Sequence, residues 1–145
     1  LRRRLERFVE AAAAQLKPEL PAIIAFHGSV DGASLGSERA MTLGQDLVLP
    51  RSVLAQPGVA YVALGHIHKH QALHHDPPMV YPGSLERVDF GEREEPKGCV
   101  IVEIAGDKAA WQFHELRARP FVSIEKDLRA ISDPLGAVAT LVRRA

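Results

Sequence analysis

The chain has 145 residues, 18 basic against 18 acidic side chains, one cysteine and no asparagine. A formal net charge of +0 lacks the excess of Lys and Arg with which a stand-alone nucleic-acid binder neutralises phosphates. The lone Cys99 excludes an intramolecular disulfide and a Cys-rich zinc site, no apolar run approaches the roughly 20 residues of a membrane span, and 46% hydrophobic with 25% charged residues is the composition of a globular domain.

In chain order, Leu5, Phe8, Val9, Ala12 and Leu16 recur at helical spacing, which predicts an amphipathic helix from Leu1 to Leu16 that stops at Lys17-Pro18. Arg2, Arg3 and Arg4 occupy its first turn, where the helix dipole favours negative charge, so the helix is expected to begin further upstream. There is no initiator Met, and Val142-Arg143-Arg144-Ala145 ends inside a helical pattern. Both ends are therefore expected to be internal to a longer protein. The apolar run Ala22-Ile23-Ile24-Ala25-Phe26 predicts a strand buried on both faces, ending at His27-Gly28. From Gly28 to Gln45, Gly28, Gly32, Gly36 and Gly44 with little periodicity predict a long loop.

After Leu47-Val48-Leu49-Pro50 a short helical turn is expected, then a second buried strand, Val59 to Leu64, which runs into Gly65-His66-Ile67-His68-Lys69-His70. His74-His75 are expected to decorate a solvated loop beside Asp76-Pro77-Pro78, before a short strand around Met79-Val80-Tyr81 and a loop from Pro82 to Pro96. A hairpin follows, with arms Cys99 to Ala105 and Ala109 to Leu116 turning at Gly106-Asp107, and His114 on its surface. Arg119-Pro120 marks a boundary, beyond which Phe121-Val122-Ser123-Ile124 predicts a strand and Leu135 to Arg144 a helix. The alternation of helices and strands is that of an α/β fold.

Charge is uneven along this map: residues 1–72 carry 8 basic and 6 acidic side chains, residues 73–145 carry 10 and 12. The acids from Glu86 to Glu95 suit the neighbourhood of a metal ion, while Glu92-Arg93-Glu94-Glu95 equally fits a solvated loop.

Two predicted strands end in histidine, and ligands of open α/β sheets bind at the carboxyl ends of strands. His66 and His68 stand two apart, so an extended backbone would point both rings to one side. Alone, His27 carries little information, but two histidines at one buried strand end are hard to explain by packing. Three imidazoles from two loops offer nitrogen ligands to Zn²⁺, Mn²⁺ or Fe²⁺. No phosphate-binding Gly-x-x-x-x-Gly-Lys loop, Gly-x-Ser-x-Gly elbow or Gly-x-Gly-x-x-Gly fingerprint is present.

Tyr61-Val62-Ala63-Leu64-Gly65-His66-Ile67-His68-Lys69-His70-Gln71 resembles the last metal-binding motif of the calcineurin-like metallophosphoesterases, and more narrowly of the SbcD-type DNA repair exonucleases. Ala25-Phe26-His27-Gly28-Ser29-Val30-Asp31-Gly32-Ala33 is similar to the family's preceding single-histidine motif. Val80-Tyr81-Pro82-Gly83-Ser84-Leu85-Glu86-Arg87-Val88-Asp89-Phe90-Gly91-Glu92 resembles the loop that distinguishes the narrower group, and Arg119-Pro120-Phe121 the junction into its capping domain.

The resemblance implies part of a metallophosphoesterase sandwich, mixed sheets flanked by helices, with residues 1–118 as the C-terminal half of the nuclease domain and 119–145 as the start of a small α/β cap. It implies His27, His66 and His68 as ligands of a two-Mn²⁺ centre. By position, Glu86 or Asp89 are candidates to stand behind them, and Lys69 and His70, just past the ligands, are candidates for the DNA backbone or equally for solvent-facing side chains, while Arg87 is a candidate for a phosphate contact or for pairing with acids of its own loop. The family's Asp-x-His, bridging Asp and Asn-His motifs have no counterpart here, and without asparagine the last cannot exist in this chain. The implied function is phosphodiester hydrolysis in double-strand-break repair by the full-length protein, in the cytoplasm, as a homodimer with an SbcC-type SMC-like ATPase. The isolated chain is expected to be inactive and to hold Mn²⁺ weakly at most. Two alternatives stand beside it: a metallophosphoesterase acting on nucleotides or phosphoproteins, and a non-catalytic structural or partner-binding module.

Overall fold

The computed structural model describes residues 1–36 and 47–144, so Gly44 and Gln45 of the predicted long loop lie outside the described residues. Helix α1 (Arg2–Ala13) is the amphipathic segment expected from the apolar spacing. It precedes β1 (Ala22–His27), and the chain continues through β2 (Ser29–Val30), β3 (Val48–Leu49) and the single turn α2 (Arg51–Leu54) to β4 (Val59–Gly65). β5 (Gln71–His75) and β6 (Pro78–Tyr81) follow, then the hairpin β7 (Gly98–Ala105) and β8 (Lys108–Glu115), and last α3 (Pro134–Arg144). The architecture is mixed α/β.

The main sheet has the order β1-β4-β6-β5. β1, β4 and β6 are parallel, with Ile24 beside Val62 and Val62 beside Met79, and β5 runs antiparallel to β6. Because neighbours in register share a face, Ile24, Phe26, Val62, Leu64, Met79 and Tyr81 point to one side. There they meet Leu49, Leu54, Leu5 and Leu16 in the core. Full burial of Leu49, Leu54, Val62 and Met79 contributes about 1.5–3 kcal/mol apiece. On the other side Tyr61, Ala63 and Val80 face Cys99, Val100 and Val102 of the hairpin across a shallow cleft.

Several expectations are corrected. β1 is not buried on both faces: it is an edge strand of the described sheet, its burial alternates, and Ile23 is 55% exposed. β4 and β6, each with a neighbour on both sides, are the strands that are covered on both faces. His74 and His75 lie in β5 rather than in a solvated loop, and the His74 ring bonds the Pro77 carbonyl at 3.0 Å through Nδ1. The segment 121–124 forms no strand, because no described strand offers it a ladder, and Val122 and Ile124 remain exposed.

Candidate functional site

The carboxyl ends of β1 and β4 lie side by side, His27 in register with Gly65. The Gly28 N–H donates to the Gly65 carbonyl at 3.1 Å, and the Tyr81 hydroxyl donates to the Gly28 carbonyl at 2.6 Å, so β4 and β6 both hold the chain just past His27. Gly65 permits this approach: a side chain there would begin 3.0 Å from His27 Nδ1. Withdrawal from water pushes the Tyr81 phenol up to about 12, against a smaller lowering by its hydrogen bond to the Val30 backbone.

β4 ends at Gly65, and His66 takes φ of 105°, a region that costs a residue with a side chain about 1–3 kcal/mol. The extended spacing expected for His66 and His68 therefore does not apply. Instead the His66 ring sits edge-on to His27, ring centres 5.4 Å apart, while His68 turns toward the following loop. The structure thus brings His27 and His66 together and seats His68 on a separate set of partners.

Those partners are buried. His68 Nδ1 lies 2.8 Å from Glu92 Oε1, and the other oxygen of Glu92 takes the Lys97 ammonium at 2.8 Å and the Val88 N–H at 3.1 Å. Lys97 also donates to Glu95 at 3.0 Å and to the His68 carbonyl at 3.3 Å. Glu92 and Lys97 have side chains 0% exposed, and buried charges are tolerated when paired in this way. Burial pushes the Glu92 carboxyl up, but hydrogen bonds from Lys97, His68 and the Val88 N–H, with the Lys97 charge, outweigh it and hold the group below the usual carboxylate range.

Glu92 takes the place behind a histidine that the sequence had assigned to Glu86 or Asp89. Asp89 instead accepts the Gly91 N–H at 2.7 Å, capping a short 3-10 turn over Phe90–Glu92, and Glu86 accepts the Arg119 N–H at 3.2 Å. The turn is what carries Glu92 inward while Glu94 stays at the surface. The acidic run alone does not say which member turns in; the phase of that turn does.

The three candidates for a DNA backbone separate. Lys69 is exposed. His70 bonds the Tyr81 carbonyl at 2.9 Å through Nδ1 and stacks on Phe113 with ring centres 4.0 Å apart, joining the sheet to the hairpin. Arg87 donates to the carbonyls of Glu92, Glu95 and Arg119 at 3.2, 3.0 and 3.2 Å, so its guanidinium closes its own loop onto the segment after the hairpin.

As nitrogen donors His27 and His66 fit a divalent ion, and His68 with a carboxylate behind it has the arrangement typical of metal-ligating histidine. Among the described residues, however, no three His, Cys, Asp or Glu side chains gather into a metal site, and two ions in close pairing need bridging oxygen ligands. The donor set fits part of such a centre.

No family model matches the chain. It is 34% identical over 102 residues to the SbcD component of the nuclease SbcCD of Rhodobacter capsulatus, an overlap of 68% of this chain and 24% of that protein. It is 34% identical over 92 residues to the uncharacterized metallophosphoesterase YhaO of Bacillus subtilis, covering 61% of this chain and 21% of that protein. The chain therefore spans about a quarter or less of the curated relatives it matches. The mixed α/β fold with histidines at adjacent strand ends agrees with both similarities, which together support the metallophosphoesterase superfamily for this chain.

Proposed function

We propose that this chain supplies the histidine side of a divalent-metal phosphoesterase centre, with His27, His66 and His68 as ligands, and that the whole protein hydrolyses phosphodiester bonds of DNA with two Mn²⁺ ions. The observation that carries this is the meeting of His27 and His66 at two parallel strand ends, 5.4 Å apart, beside a His68 backed by the buried Glu92. The metals, when bound, polarise the phosphate and activate the attacking water; the chain's own part is to hold imidazoles at fixed positions. The similarity to the SbcD component of a nuclease named SbcCD supports DNA as substrate and an SbcC-type ATPase as partner. Dimerisation, a place in double-strand-break repair and a cytoplasmic location complete the proposal. No helix among the described residues is long and apolar enough to cross a membrane.

Residues 1–118 are assigned to the nuclease domain and 119–145 to the start of a cap. Glu86 and Arg87 tie the first part to Arg119, and Phe90 packs edge-on against Phe121 at 4.7 Å. Of the three DNA candidates we retain Lys69, the exposed one, since the donors of His70 and Arg87 serve internal carbonyls.

The test is Mn²⁺ binding to the 145-residue chain by electron paramagnetic resonance, with labelled duplex DNA as substrate. Weak binding that His66→Ala abolishes, without digestion of the DNA, is expected. Digestion by this chain alone, lost on His66→Ala, would overturn the assignment of an incomplete centre. Mn²⁺ binding unchanged by His27→Ala and His66→Ala would overturn the ligand assignment itself.

A further inference from the structure

We infer that Glu92 is a positioning residue that fixes the tautomer of His68, keeping the proton on Nδ1 and the lone pair on Nε2, with Lys97 and the Val88 N–H holding the carboxylate in the orientation that does so. An ionised carboxylate has no proton to give, so at 2.8 Å from Glu92 Oε1 the His68 Nδ1 must be the donor. The carboxylate has little freedom to turn away. Its second oxygen receives Lys97 and the Val88 N–H, and Glu92 is enclosed on all sides. The Lys97 ammonium, 2.8 Å from that oxygen and as fully enclosed as Glu92 itself, supplies the counter-charge a buried carboxylate needs.

The main chain of His68 is fixed by the same lysine. The His68 carbonyl accepts from Lys97 at 3.3 Å and from the Ser84 N–H at 3.0 Å. Gly83, with φ of 83°, lies so close that a side chain there would begin 2.7 Å from the same oxygen. Ring and backbone of His68 are therefore both anchored to the Ser84–Lys97 loop. In the phosphoesterase proposed above, Nε2 is the nitrogen His68 offers to a metal ion, and that part of the inference rests on the proposed function.

The decisive variant is Glu92→Gln. An amide has one acceptor oxygen, and Lys97 and Val88 both demand it on their side, which turns the NH2 toward His68. His68 must then accept at Nδ1 and carry its proton on Nε2. Lys97 keeps a counter-charge in Glu95 at 3.0 Å, so the variant retains a paired ammonium. Should it not fold, Glu92→Gln/Lys97→Met removes the buried charge pair, and the Val88 N–H still imposes the same amide orientation.

Histidine ¹⁵N correlation spectra of the metal-free chain, recorded above the imidazole titration range and assigned with His68→Gln, read the tautomer directly. The expected result is Nδ1–H in the wild type and inversion to Nε2–H in the Gln variant. A wild-type ring protonated on Nε2, an even mixture, or a Gln variant with the wild-type pattern would overturn the inference. Adding Mn²⁺ to the wild type tests the other proposal separately: no paramagnetic broadening of the His68 signals removes His68 from the ligand set and leaves the tautomer result standing.

Discussion

The imidazoles of His27 and His66 stand edge-on with their centres 5.4 Å apart, although one ends β1 and the other follows β4. The parallel pairing of β1 with β4 brings them together, and the left-handed backbone at His66 turns the second ring toward the first.

Gly83→Ala is expected to destabilise the chain by more than about 1 kcal/mol, and by more than Gly106→Ala does. Both glycines have positive φ, 83° and 62°, but a side chain at Gly83 meets the His68 carbonyl at 2.7 Å whereas one at Gly106 meets nothing within 4 Å. Chemical denaturation of the two variants measures the difference. Equal losses would show that His68 is not held from this side.

His70 and Phe113 are expected to be coupled. Their rings stack at 4.0 Å with planes 14° apart, so a double-mutant cycle with His70→Ala and Phe113→Ala should give an interaction of about 0.5–1.5 kcal/mol. Additive losses would mean that the hairpin is not docked through this pair.

Lys97→Met leaves Glu92 and Glu95 facing each other without their shared cation. The expected cost is about 3–5 kcal/mol, the range for breaking a buried ion pair. A urea-melt shift equivalent to less than about 1 kcal/mol, in the range of a surface pair, would show that the network is more hydrated than its burial indicates.

Alkaline pH is expected to unfold the chain through its two tyrosines. Burial raises both Tyr61 and Tyr81 from 10.0 to about 12. Between these values the folded state keeps protons that the unfolded state has released, so stability is complete below pH 10.0 and falls as pH rises toward about 12. Phenolate absorbance should then appear together with loss of secondary structure. Ionisation near pH 10 with the fold intact would contradict the burial.

Much of this was legible along the chain. The helical spacing of Leu5, Phe8, Val9, Ala12 and Leu16, the buried run before Gly65, and the Gly106-Asp107 turn located α1, β4 and the hairpin, because each signal is local. The histidines at two strand ends marked the candidate site for the same reason. Tertiary structure decided what local signals do not carry. Strand order made β1 an edge of the described sheet and left Ile23 exposed, where its apolar sequence alone predicted burial. Among five acids between Glu86 and Glu95, the 3-10 turn carried Glu92 inward to His68 and Lys97. Stacking on Phe113 made His70 a joint between layers, and three carbonyls claimed Arg87. Residue type sets what a side chain is able to donate or accept, but which group it meets depends on chain crossings far apart in sequence, and those are settled only when the whole core packs.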